Sequence, residues 1–95
     1  MRWMEFIKVQ TVRANVTEIL LDVVTECNKC HGLLEAKVFN HSSVDDCSLC
    51  LLWNTDVAKP FGSGIGVQMS NILKKYGLVD HSVWVEMGNG EENVS

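Results

Sequence analysis

From Glu5 to Val12 the chain alternates polar and apolar residues (EFIKVQTV) in strand-forming types, and the alternation predicts a first strand there. The period then changes. Val16, Ile19, Leu20, Val23, Val24 and Cys27 recur at helical spacing and form one apolar stripe. Asn15 precedes the stripe as a helix N-cap, with Glu18 three residues on as its capping-box partner, and Gly32 is the expected stop. Leu33 to Asn40 and Cys47 to Trp53 read as a second and third strand around a polar turn, His41 to Asp46. Asn54 to Gly62 is loop, broken by Lys59-Pro60. A second helix is predicted from Ser63 to Tyr76, with Ile65, Met69, Ile72, Leu73 and Tyr76 on its stripe and Gly77 as its stop. Val79 to Met87 reads as the fourth strand. Strand, helix, strand, strand, helix, strand in so short a chain is the order of a split βαβ unit. It predicts an α+β ferredoxin-like βαββαβ sandwich, with an antiparallel four-stranded sheet and two helices on one face.

The third strand adds a requirement. One of its faces carries Cys47, Leu49, Leu51 and Trp53, and the other Ser48, Cys50 and Leu52. Two largely apolar faces call for cover on both sides, and the helices supply only one. A homodimer through the free sheet face is the simplest closed solution.

Ninety-five residues, 46% of them apolar, make one domain, expected over residues 1–87, with a Gly-, Asn- and Glu-rich tail at 88–95 that is expected to fray. A net charge of −4 without a basic block argues against nucleic acid and against an anionic membrane surface. No segment approaches the roughly 20 apolar residues of a membrane span. Arg2, Glu5 and Lys8 interrupt the start of the chain, so no secretory signal is read there, and the expected compartment is the cytoplasm, with reduced cysteines.

Three stretches carry a family likeness: GLLEAKVFNHSS (Gly32 to Ser43), CLLWNTD (Cys50 to Asp56) and GLVDHSVWVE (Gly77 to Glu86). Together with the element order they resemble the dimeric α/β-barrel superfamily, above all its antibiotic biosynthesis monooxygenase (ABM)-like branch, over about residues 4–87. The resemblance implies a dimeric α/β barrel that binds an apolar or aromatic small molecule, with cofactor-independent monooxygenase activity in some members and therefore no cofactor. It equally admits a non-enzymatic dimeric stress-response or structural module. Haem-degrading relatives combine an Asn in the first strand, a Trp, and a His in the second helix. Here the first strand has no Asn and the second helix no His, so that activity is disfavoured.

The cysteines open a further alternative, a metal or redox protein. Cys27 to His31 matches the CxxCH pattern of haem attachment, and Cys27, Cys30, Cys47 and Cys50 together have a zinc-ribbon spacing. Haem attachment requires export, for which no signal is read, and Cys27 already fits the apolar stripe of the first helix, while the zinc reading conflicts with the predicted strands. Cysteines three apart on a strand point to opposite faces. If Leu33 pairs with Trp53, Ala36 lies near Cys50 and Phe39 near Cys47, about 20 Å from the end where Cys30 enters, at about 3.3 Å per residue. No metal site is therefore expected.

Among chemistry-bearing residues, His81 and Trp53 are the candidates to border a cavity between sheet and helices or inside a dimer barrel. His81 is the candidate catalytic residue, because an imidazole moves protons near neutral pH. Trp53 offers a flat stacking surface for a ligand, and Gln10 is a candidate polar neighbour. The structural alternative makes His81 a hydrogen-bonded histidine and Trp53 core. Gly62-Ser63-Gly64-Ile65-Gly66 opens the second helix and either presents backbone N–H groups to an anion or permits close packing on the sheet.

Overall fold

A computed structural model describes residues 1–10, 15–27 and 30–88. Its elements are β1 (Arg2–Gln10), α1 (Asn15–Cys27), β2 (Leu33–Asn40), β3 (Asp46–Asn54), α2 (Gly64–Leu73) and β4 (Leu78–Val85). They build one four-stranded sheet in the order β2-β3-β1-β4, with every neighbouring pair antiparallel. This is the expected ferredoxin-like arrangement.

β1 alternates buried and half-buried positions along its length, with Trp3, Glu5, Ile7 and Val9 turned inward. On that face lie Leu49, Leu51 and Trp53 of β3, Val16, Leu20 and Cys27 of α1, and Met69 and Leu73 of α2. Both helices thus share one core on one side of the sheet, α1 over β2 and β3, α2 over β1 and β4. Each wholly buried leucine or isoleucine in it contributes about 1.5–3 kcal/mol relative to exposure.

Several boundaries differ from the sequence expectation. β1 begins at Arg2 because Arg2, Trp3 and Met4 pair with Asn54, Trp53 and Leu52. The expected continuation through Thr11 and Val12 lies outside the described residues, as do positions 89–95 of the expected tail. α1 ends at Cys27, before the expected stop. Gly32 instead makes the turn into β2, at φ +85°, with its carbonyl accepting the Asn54 N–H. α2 ends at Leu73, and the chain tightens into i→i+3 bonds, Lys75 N–H to Ile72 and Tyr76 N–H to Leu73. β4 ends at Val85, two residues early, although the Glu86 N–H still reaches the Arg2 carbonyl.

The β2–β3 register also departs from the simple count. Leu33 does pair with Trp53, but an irregularity between Leu33 and Glu35 inserts a residue. Ala36 then faces Leu51 and Phe39 faces Ser48. The bulge keeps Ala36 and Val38 on the core side, packed against the buried cluster.

The opposite sheet face carries Met4 and Phe6 of β1, Cys50 and Leu52 of β3, Phe39 of β2 and Trp84 of β4. Trp84 is 62% exposed and Phe39 48%. Lys37 and Glu35 form an ion pair on the same face.

Candidate functional site

The inward row of β1 contains one charge. Glu5 stands between Trp3 and Ile7 and is 0% exposed. A carboxylate taken from water must recover its hydrogen bonds inside the protein, and Glu5 does so with four hydrogen-bonding groups from three residues. Its Oε1 accepts the Ser63 backbone N–H at 2.8 Å and is 2.9 Å from His81 Nε2. Its Oε2 accepts the Trp53 indole N–H at 2.8 Å and a short bond from the Ser63 hydroxyl.

Each partner is delivered by a local feature of the sequence. Trp53 lies opposite Trp3 in the sheet, and the two indoles stack with centroids 5.6 Å apart and planes 17° from parallel. Trp3 is anchored in turn by its own N–H to Thr55 Oγ1. Ser63 is the N-cap of α2, where its hydroxyl oxygen accepts the Gly66 N–H at 3.0 Å. That bond leaves the hydroxyl proton for Glu5. His81 sits on β4 opposite Ile7, one inward position along from Glu5.

The glycines explain how α2 comes so close. A Cβ at Gly66 would overlap the Glu5 carboxylate. One at Gly62, which holds φ +98°, would strike His81 and Glu5 together. Both readings of the GSGIG stretch therefore hold in part. The glycines permit close packing, and the helix start does hold an anion, but that anion is the protein's own Glu5. The positive end of the helix dipole favours the carboxylate there.

Trp53 and His81 are thus brought together, through a residue that the sequence reading had not selected. Their exposure differs from that of Glu5. The His81 side chain is 16% exposed, and among the described residues nothing hydrogen-bonds its Nδ1. Trp53 is buried, 5% exposed. Gln10 is not part of this group. It is exposed at the far end of β1, on the opposite side of the sheet, paired with Asp46 and Leu78. His41 is exposed in the β2–β3 turn, where its Nδ1 accepts the Ser43 N–H.

The four cysteines are free thiols, with Cys27 and Cys30 adjacent and Cys47 and Cys50 elsewhere, on β3. Cys27 lies beside Cys30 at the end of α1, and burial, then the neighbouring Cys30, pushes its pKa up to about 11. Cys47 lies at the other end of α1, hydrogen-bonded to Thr17, and burial raises its pKa. Thr17 and Cys27 are ten residues apart on the helix, about 15 Å at 1.5 Å per residue. Cys50 is on the opposite sheet face, its pKa also raised by burial. Among the described residues no group of three or more His, Cys, Asp or Glu side chains is placed to hold a metal ion.

Two clefts open on the outer sheet face. One, of about 350 Å³, is lined by Phe6, Lys8, Phe39 and Ser48 among others, and one of about 290 Å³ by Met4, Leu52 and Trp84 among others. Neither is lined by Trp53 or His81.

Two solved structures share this architecture. Rv0793 from Mycobacterium tuberculosis superposes with a TM-score of 0.73 over 95% of this chain and 99% of that protein, at 10% identity. A conserved Bacteroides thetaiotaomicron protein of unknown function, described as a possible oxidoreductase, superposes with a TM-score of 0.61 over 87% of this chain and 93% of its own, at 20% identity. At such identities the likeness establishes the small α+β ferredoxin-like fold. No family model matches the chain, and no curated protein matches it in sequence. Among the described residues no helix is long and apolar enough to cross a membrane.

Proposed function

We propose that this chain is an ABM-like protein that binds an apolar or aromatic small molecule at the His81 edge of the sheet–helix layer and can oxygenate it without a cofactor. The observation that carries this reading is a partly exposed imidazole bonded to a wholly buried carboxylate, beside a stacked pair of tryptophans. A histidine so held is oriented to take a proton, and a proton is what cofactor-free oxygenation must first remove from its substrate. The electron-rich carbanion or enolate then supplies the electrons that reduce O₂. For anthrone the balance is anthrone plus O₂ giving anthraquinone plus water. The possible-oxidoreductase description of the Bacteroides protein is compatible with this class of chemistry. The outer sheet face, with its exposed Trp84 and Phe39, supports pairing with a second copy.

A second reading has its own observation. The Glu5 group is complete without any ligand, since all four of its hydrogen-bonding partners come from the chain itself. This favours a non-enzymatic dimeric module in which Glu5 simply fastens α2 to the sheet. Oxygen uptake with anthrone as probe, followed by electrode against a protein-free blank, separates the two. The catalytic reading expects uptake above blank, and a loss of at least tenfold in His81→Asn while anthrone still quenches tryptophan fluorescence. Absence of both quenching and uptake in a folded protein selects the structural module.

A further inference from the structure

The donors around Glu5 decide more than its position. The Ser63 backbone N–H and the Trp53 indole N–H have no acceptor capacity. The Ser63 hydroxyl already accepts from Gly66, so its proton points to Glu5. Three of the four bonds therefore require Glu5 to accept, which is the chemistry of an ionised carboxylate. The fourth partner, His81 Nε2, is the only one whose role is open. Facing an acceptor at 2.9 Å, Nε2 must carry the hydrogen, and the neutral ring then holds its lone pair on Nδ1.

We infer that Glu5 is a positioning residue. It fixes His81 as the Nε2–H tautomer, makes Nδ1 the proton-accepting atom of the site, and favours neutral ligands over anionic ligands of the same shape. The ligand preference rests on the small-molecule reading above, whereas the tautomer does not. With His81 neutral, the pair carries one negative charge, on Glu5, which is 0% exposed. Among the described residues no Lys or Arg side chain is bonded to it, and the recorded Lys and Arg ion pairs are Arg2 with Glu86 and Lys37 with Glu35. A ligand that arrives as an anion places a second negative charge beside the first, at low dielectric. A neutral ligand meets no such penalty. When its O–H or C–H proton passes to Nδ1, the bond to that proton breaks and the new N–H forms. The substrate becomes the anion, and the imidazolium is held against Glu5 as an ion pair. Net charge in the site is unchanged, so the developing anion is offset by the charge formed on His81.

The geometry also gives the clamp its reach. Ser63 caps α2 and binds Glu5 with both its backbone N–H and its hydroxyl, so the helix start and the imidazole are set by one carboxylate.

The test uses the intact protein. ¹⁵N–¹H NMR of the imidazole rings, with the His81 signal assigned by its absence in His81→Asn, reads the tautomer directly and needs no ligand. The expected result is a protonated Nε2 and a bare Nδ1 on His81, with that preference lost in Glu5→Gln. A native His81 in the Nδ1–H form overturns the positioning role, whatever the protein binds. Substrate selection is read by titrating 2-naphthol, neutral at pH 7, against 2-naphthoate, an anion of the same ring. The naphthol is expected to bind at least tenfold more tightly, with the difference reduced in Glu5→Gln. Equal or tighter binding of the naphthoate overturns the ligand preference. Binding of neither, with the tautomer as expected, leaves Glu5 as the positioner of His81 and removes the small-molecule reading and the ligand preference with it.

Discussion

At the scale of single residues, Glu5 decides the interior. Glutamine matches it in shape but not in bonding, because its NH₂ must face at least one of three groups that can only donate to it. Glu5→Gln is expected to lose about 1–3 kcal/mol of stability, the cost of a buried unsatisfied donor, measured by urea denaturation. An unchanged midpoint would show that the carboxylate is not the acceptor described. Gly66→Ala is expected to destabilise as well, by about 1–3 kcal/mol, because its methyl group enters the space of the Glu5 carboxylate. Cys27 gives a pH-dependent term. Its thiol loses a proton near the ordinary value of 9.0 when unfolded but only at about 11 when folded, because burial disfavours the thiolate. The unfolded state therefore gains the thiolate first as pH rises, and the contribution of Cys27 to stability is present below pH 9 and lost between 9 and 11. A Cys27→Ala variant should show a shallower decline in stability across that window. Glu5 itself was partly legible in the sequence. A lone charge in the row Trp3, Glu5, Ile7, Val9 is a signal, but only once the strand is known to start at Arg2. With a start at Glu5 the charge falls on a strand end, where it asks for no partner.

At the scale of elements, α2 is the one whose placement the site depends on. Its start was readable to within one residue, because Ser63 ahead of an apolar stripe favours a helix start by local chemistry alone. The second use of Ser63, as a double donor to a strand 58 positions away, was not readable. Ser63→Ala removes the cap and one donor to Glu5 together, so the expected cost, about 1–2 kcal/mol for the cap, is a lower bound. The measurement is thermal unfolding compared with Ser63→Thr, which keeps the hydroxyl. If the alanine variant loses no more than the threonine variant, Ser63 is not the link between α2 and Glu5. The β2–β3 hairpin shows the opposite limit. Its strands were visible by composition, yet its register depends on an extra residue between Leu33 and Glu35 that no local pattern marks. The bulge is favoured because it returns Ala36 and Val38 to the core, which is a property of the packed sheet.

At the scale of the whole molecule, the unresolved demand is the outer sheet face. Its apolar residues are distributed over all the strands: Phe39 on β2, Leu52 on β3, Phe6 and Met4 on β1, and Trp84 on β4. An isologous dimer that buries it should sediment at twice the chain mass. Leu52→Glu combined with Trp84→Glu is expected to yield a monomer with the helix–sheet core intact by near-ultraviolet circular dichroism. A native chain that sediments as a monomer at micromolar concentration would remove the dimer from the reading. By itself the sequence determined the elements, their order and the fold class, because periodicity, capping residues and turn chemistry act over a few neighbouring positions. It also named Trp53 and His81 as candidates to border a cavity, leaving open on which side of the sheet. Only the tertiary structure decided that these two meet at Glu5 and that Gln10 stands apart on the other side of the sheet. The physical reason is that a hydrogen-bonded group gathered from β1, β3, β4 and the start of α2 leaves no local pattern. Its members become neighbours only when the sheet pairs β1 with both β3 and β4 and α2 closes over them.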